Sequence, residues 1–296
     1  MLTISPGEVT TAKLHGYLLG AVGPRPIAFA STIDKDGRVN LSPFSFFNVF
    51  SANPPILIFS PARRVRDNTE KHTLENCREV PEVVINVVSY EIVQQMSLSS
   101  SEYPKGVNEF EKGGFTMLKS DLVSPFRVAE SPVQMECKVN EVVALGDEGG
   151  AGNLIICEVL RMHISEEVLS EDGNTIDQHK IDLVSRMGGN WYSRSNQGMF
   201  EVPKPLSIPG IGVDNIPSSI RYSKFLTGNE LGMLGNISEL PGKEVVAQFV
   251  EESIEVKGVL SSDDEGEIHG LASRYLKENR VEDAWKLLLA RQSIKN

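Results

Sequence analysis

Residues 60–76 read SPARRVRDNTEKHTLEN. Arg63, Arg64, Arg66 and Lys71 stand there with His72, among the hydroxyls of Ser60, Thr69 and Thr73. The segment leaves the apolar run PPILIFS (54–60) and enters TLENCREV (73–80), which is rich in helix formers. Cations and hydroxyls gathered at the end of a buried strand suit an anion. A helix opening at this point, capped by Asn68 or Thr69, would add free backbone N–H groups aimed at the same place. A phosphomonoester fits that donor set. The plain alternative is a solvated loop, because exposed charges contribute little. Lys71 and Thr73 are both expected in a polar loop, where replacement would spare the core.

A second segment, NLSPFSFFNVFSANPP (40–55), mixes Phe44, Phe46, Phe47 and Phe50 with Ser42, Ser45 and Asn48. Alternating phenylalanines belong partly to a core. Pro43 cannot donate to a strand ladder, so it argues against a central position and leaves neighbouring backbone groups free. Those groups could bond the edge of a flat heteroaromatic ring while phenyl rings pack on its face.

Other chemistries lack their apparatus. The sequence has no Gly-x-Gly-x-x-Gly after a strand, no Gly-Lys-Ser/Thr loop and no Gly-x-Ser-x-Gly elbow. His15, His72, His163, His179 and His269 are scattered without metal spacing, so no metal is expected. MGGNWY (187–192) reads as a turn packed under an aromatic. Cys77, Cys137 and Cys157 form no disulfide pattern and read as buried, inert thiols.

The chain has 296 residues, 40% of them hydrophobic, enough for one large domain or a medium one with an addition. Its formal net charge of -11 disfavours nucleic acid, whose binding rests on neutralised phosphates. No apolar run approaches the roughly 20 residues that span a bilayer. The first residues lack a basic start and apolar core, so no signal peptide is expected. The cysteines, without a disulfide pattern, fit a reducing cytoplasm.

These features must be positioned by strands. PIAFASTI (26–33), a DKDG turn, PPILIFS, EVVINVVSY (82–90), VQMECKVNEVVAL (133–145) and NLIICEVLRMHI (153–164) read as strands and turns of an antiparallel barrel or sandwich. GDEGGAG (146–152) has the composition of a hairpin loop. Residues 97–115 read as a long surface loop with one helical turn. After the Pro- and Gly-rich stretch 201–212 the pattern turns helical. Thr227 and Glu230 form a capping-box signal. EIHGLASRYLKENRVEDAWKLLLARQ (267–292) predicts two amphipathic helices joined near Asn279, with apolar stripes that need a partner surface.

The stretch GPRPIAFASTIDKDGRVNLSPFSFFNVFSANPPILIFSP resembles the opening of the flavin reductase-like proteins of the FMN-binding split-barrel superfamily. KHTLEN (71–76) resembles that family's Lys-Asp-Thr-x-x-Asn element, with His72 in place of the aspartate. VVINVV, VNEFEKGGF, ESPVQMECKV and NLIICEV continue the resemblance in order, over about residues 1–200. It implies a mainly β, antiparallel split barrel of Greek-key type, a homodimer, and FMN bound near the dimer interface. The expected division is a split-barrel domain at 1–204 and a helical C-terminal extension at 205–296.

The resemblance places the phosphate at Lys71 and Thr73, with Thr69 and an arginine nearby, and the ring along Ser42 to Asn48. Joined to the reading of the loop, the expected cofactor-binding residues are Ser42, Phe44, Ser45, Phe46, Asn48, Ser60, Arg63, Arg64, Thr69, Lys71 and Thr73. The expected activity is an NAD(P)H:flavin reductase, with NADH or NADPH as co-substrate and hydride transfer carried by the flavin, so no side chain is expected to be catalytic. The alternative is a flavin-binding or electron-carrier protein without its own reductase activity, using the helical tail to bind a partner. The tail itself is expected to pack its stripes on the barrel or the dimer mate and to help enclose the flavin region.

Overall fold

The run AFASTI forms strand β1 (Ala28–Ile33), buried from Ala28 to Thr32. A strand this enclosed must sit inside a sheet, and it does. The computed structural model describes residues 1–204, 208–262 and 264–295, the last three of these by backbone alone. Helix α1 (Thr11–Ala21) precedes β1. Then follow β2 (Val39–Phe44), β3 (Phe47–Ala52), β4 (Pro55–Phe59), helix α2 (His72–Glu79), β5 (Glu82–Asn86), α3 (Val93–Leu98) and α4 (Glu109–Gly113). The short pair β6 (Met117–Leu118) and β7 (Arg127–Val128) leads to the long hairpin β8 (Val133–Ala144) and β9 (Asn153–Ile164), and β10 (Val184–Arg186) pairs with β11 (Tyr192–Arg194).

Seven strands make one antiparallel sheet in the order β2-β1-β5-β8-β9-β4-β3. The sheet curls into a barrel left open between β2 and β3, a split barrel. Pro43, paired with Phe29, lies on the edge strand β2, where its missing N–H costs no ladder bond. The two edge strands are consecutive in the chain, so Ser45 and Phe46, which connect them, span the opening. Phe44, Phe59, Leu74, Ile85 and Ile155 fill the interior, with the Phe44 and Phe59 rings 5.5 Å apart. The DKDG turn closes on Asp34, whose Oδ1 accepts from the N–H of Asp36 and Arg38, and Gly37 supplies φ +80°.

Cys77, Cys137 and Cys157 are free and buried, and burial pushes the Cys77 and Cys137 thiols up to about 12. The 187–192 turn differs from expectation: Met187 N–H bonds Trp191 O, but the Trp191 ring is 78% exposed and covers nothing.

The chain divides into two compact units, Met1–Phe200 and Glu201–Asn296. The expected boundary at 204/205 borders residues 205–207, which lie outside the described residues. The second unit is helical: α5 (Ser218–Arg221), α6 (Gly228–Gly235), α7 (Lys243–Glu252), α8 (Ile254–Ser262), α9 (Glu265–Lys277) and α10 (Val281–Lys295). Thr227 and Glu230 form the capping box of α6, and Asn279, at φ 59°, turns α9 into α10. The apolar stripes of α9 and α10 are covered within this unit. Trp285, Ile268, Leu271, Tyr275 and Leu288 are buried against Leu234, Ile220 and Val256, and Trp285 Nε1 donates to Leu234 O at 3.0 Å. The expected need for a barrel or dimer face to bury these stripes is corrected: the unit carries its own core. No helix among the described residues is long and apolar enough to cross a membrane.

Candidate functional site

Helix α2 is pinned to the barrel by a polar network. Asn40 Nδ2, on β2, donates to Thr73 Oγ1 at 2.8 Å, and Asn76 Nδ2 donates to Thr32 Oγ1, on β1, at 3.1 Å. Thr73 and Asn76 are buried at 1% and 2% exposure, so the network fixes where the helix begins. Lys71 is the N-cap, and no side chain caps the helix. The N–H groups of Leu74 and Glu75 both turn back to Lys71 O, and those of His72 and Thr73 have no partner among the described residues. The expected cap by Asn68 or Thr69 is not formed. Asn68 instead takes φ 57° and donates to Asp147 O, while Thr69 Oγ1 donates to Asp67 at 2.6 Å.

The open helix end faces a cleft. Ser42, Asn40, Arg64, Lys71, His72, Thr73, Ser99–Tyr103 and Glu109 line its narrow inner part. An outer part of about 560 Å³ is bounded by Arg63, Arg64, Arg66, Thr69, Glu102 and Tyr103, among others. Burial, then the Arg64 guanidinium, lower the Lys71 ammonium from its ordinary pKa. Burial likewise lowers His72. Glu109 is pushed up by burial, against the hydrogen bond that it accepts from Leu41 N–H at 3.1 Å.

Comparison with known proteins names this architecture. The flavin reductase like domain family matches residues 21–181. The chain belongs to that family. An uncharacterised protein of Aquifex aeolicus is 39% identical over 188 residues, 64% of this chain and 93% of its own length. Among solved structures, nitrilotriacetate monooxygenase component B from Bacillus cereus superposes with TM-score 0.64 at 30% identity, covering 68% of this chain and 98% of that one. The 2-nitrobenzoate 2-nitroreductase of Pseudomonas fluorescens gives TM-score 0.63 at 25% identity, covering 71% and 100%. Fold and relatives make this a flavin reductase-like oxidoreductase on an FMN-binding split barrel.

In this flavin reductase-like chain, the residues expected at the site separate into groups. Ser42, Arg64, Lys71 and Thr73 come together in the cleft. Ser45 and Phe46 lie at the barrel opening, and their N–H groups have no partner among the described residues. Asn48 is exposed on β3, and its Oδ1 accepts from Val49 N–H. Phe46 is 38% exposed, with its ring edge-on to His15. Three expected residues are engaged elsewhere. Phe44 points into the barrel core. The Ser60 hydroxyl accepts from Asn153 N–H at 3.0 Å. The Arg63 guanidinium, at the rim of the outer cleft, donates to Asn68 Oδ1 at 2.6 Å, Asn68 O at 2.8 Å and Glu70 at 2.6 Å, which braces the loop from within.

The loop is also less positive than its sequence suggests. Asp67, Glu70 and Glu102 pair with Arg66, with Arg63 and Arg78, and with Arg64 and Arg66. Lys71 is the loop cation left without an ion pair among the described residues. The donors therefore fit a flavin phosphate through Lys71, the free N–H groups of His72 and Thr73, and nearby hydroxyls. Asn40, Glu102 and Glu109 were not anticipated. Glu102 lies in the polar 97–115 stretch, and only the length of that loop pointed to function.

One further cluster forms away from the cleft. His163 Nε2 lies 2.7 Å from Glu136 Oε1, and Asp121 is near both. The cluster is already charge-balanced, with Arg161 on Asp121 at 2.8 Å and Arg127 3.9 Å from Glu136. Both Glu136 oxygens also accept backbone N–H groups, from Asp121 and Leu122. It reads as an anchor of the β8–β9 hairpin, with Glu136 as its buried member.

Proposed function

We propose that this chain is an FMN-dependent NAD(P)H:flavin reductase. The observation that carries the reading is Lys71. It is a partly desolvated cation without an ion pair among the described residues, at an open helix N-terminus, in a cleft that begins on the same edge strand as the barrel opening. A phosphate held there by Lys71 and the N–H groups of His72 and Thr73 would leave the flavin ring free to run along Ser42 towards Ser45 and Phe46. Helix N-termini favour such anions.

Bound flavin would supply the hydride acceptor, so the chain's residues need only bind, orient and stabilise charge. Lys71 holds the phosphate end. The N–H groups of Ser45 and Phe46 are available to offset negative charge that develops on the ring, and preorganised donors of this kind need no rearrangement as charge appears. Phe46 supplies apolar cover beside them. The exposed side chains of Val49 and Phe50 on β3 and of Leu18 on α1 support a second copy of the chain as cover for this edge of the barrel.

The test is anaerobic mixing of the FMN-loaded protein with NADH or NADPH. The proposal expects rapid loss of the flavin absorbance band with at least one of them. Tight FMN binding with no bleaching by either would favour a carrier without reductase activity.

A further inference from the structure

Glu102 sits on the segment between α3 and α4, far in sequence from the arginines that it meets. Its Oε1 lies 3.2 Å from Arg64 Nε, and its Oε2 bonds Arg66. Arg64 is otherwise committed through Nη1, which donates to Thr69 Oγ1 and to Glu70 O. Its Nε is the donor that meets Glu102. Hydrogen bonding from Arg66 holds the Glu102 carboxyl below the ordinary range, so it is ionised at neutral pH. The Lys71 ammonium lies in the combined field of Arg64, Arg66 and Glu102. All of these except Lys71 line the outer cleft, and Lys71, Arg64 and Glu102 share the inner one. A carboxylate of the protein thus stands among the cations at the phosphate end of the site.

Taking the phosphate assignment above as its basis, we propose that Glu102 is an internal competitor for that anion. Flavin phosphate and the Glu102 carboxylate cannot both occupy the donor surface of Arg64 and Arg66, and each repels the other near Lys71. Binding is therefore an exchange: the phosphate takes over the guanidinium contacts and Glu102 swings to solvent. The carboxylate is suited to leaving, because its side chain is 41% exposed and Arg66 is 69% exposed, and exposed ion pairs are weak. The segment that carries Glu102 is also tied to α2, through Lys105 to Glu75 at 2.8 Å, so Glu102 can move without releasing the whole segment. The consequence is specific to the phosphate. Riboflavin, which has none, need not displace Glu102. Glu102 lowers the affinity for FMN alone and makes it a readily exchanged molecule.

The experiment uses the full chain with Glu102→Gln, which keeps the side chain's size and removes its charge. FMN and riboflavin are titrated by quenching of flavin fluorescence, with Lys71→Ala measured beside it. FMN should bind about ten-fold tighter to Glu102→Gln, the scale of one charge-assisted contact, and riboflavin should be unchanged. The FMN dissociation rate in stopped flow should fall correspondingly. Unchanged or weaker FMN binding in Glu102→Gln overturns the inference. So does equal tightening of riboflavin. Lys71→Ala separates the two claims. If it weakens FMN while Glu102→Gln fails to tighten it, only the competitor role falls. If Lys71→Ala leaves FMN binding at the wild-type level, the phosphate assignment itself falls.

Discussion

Asn40 Nδ2 donates to Thr73 Oγ1 at 2.8 Å, tying the edge strand β2 to the first turn of α2. The bond fixes the helix side of the cleft to the barrel. It also separates two residues that the sequence places together in a polar loop. Thr73 is 1% exposed and belongs to the helix, whereas the Lys71 ammonium lines the cleft. Thr73→Ala is therefore expected to leave the Asn40 amide short of a partner and to cost about 1–3 kcal/mol of stability. Lys71→Ala should leave stability near wild type. Urea unfolding of the two variants checks this. Equal stabilities would show that the Asn40 bond does not hold the helix.

With the flavin phosphate held as proposed, the lowered pKa of Lys71 sets a pH dependence for FMN binding. Phosphate favours the ammonium form, so the bound-state pKa lies above that of the free protein. Affinity should be constant below the free-state value and fall as pH rises from it towards the bound-state value. Because burial and Arg64 depress the free-state value, the fall should begin at a lower pH than the roughly 10.4 of an unperturbed lysine. On the acid side, affinity should drop below about pH 6 as the phosphate takes its second proton. Riboflavin titrated over the same range should show neither limb. An identical alkaline limb for riboflavin would assign the titration to another group.

Glu136 has no exposed side-chain surface. Burial acts against its charge, but the N–H groups of Asp121 and Leu122 and the His163 ring outweigh it and hold its pKa below the ordinary value. A depressed carboxylate pKa stabilises the fold above the unfolded value, about 4.3, and that stability is lost as pH falls through the folded value. Glu136→Gln is expected to cost about 2 kcal/mol at neutral pH, the scale of a hydrogen bond to a charged group. The gap between wild type and variant should narrow in acid. Denaturant melts across pH 3 to 7 give the comparison, and a gap that does not change with pH would contradict the ionised role.

The helical unit has a core of its own around Trp285, so damage there should stay local. Trp285→Ala is expected to destabilise residues 201–296 by about 3–5 kcal/mol through loss of buried volume and of the Leu234 contact. FMN affinity should be unaffected, and a chain ending at Phe200 should still bind FMN. Hydrogen exchange read region by region distinguishes the units. Loss of protection across β1 to β9 in Trp285→Ala would show that the helical core supports the barrel.

Much of this architecture is legible in the sequence, because it rests on local rules. β-branched runs mark β5 and β9, Pro43 marks an edge strand, and Thr227 with Glu230 marks the start of α6. The fate of the arginines is not legible. Arg63 is used up by Asn68 and Glu70 within its own loop, and Arg64 and Arg66 meet Glu102 from a different segment. Charge counting along the chain cannot see partners brought by folding. The phenylalanines mislead for a related reason. Phe44 and Phe46 would share a face in a continuous strand, but the chain bends at Ser45–Phe46 to cross the barrel opening, which sends one ring inward and leaves the other partly exposed.

The central claim is that the cleft at Lys71 recognises a flavin by its phosphate. The ratio of riboflavin to FMN dissociation constants, measured by fluorescence quenching in wild type and Lys71→Ala, tests it most directly. Contacts to a charged group are worth about 1.5–3 kcal/mol each, so the wild-type ratio should be about ten or more and should fall towards one in Lys71→Ala. A wild-type ratio near one, or a large ratio that Lys71→Ala leaves intact, would contradict the account.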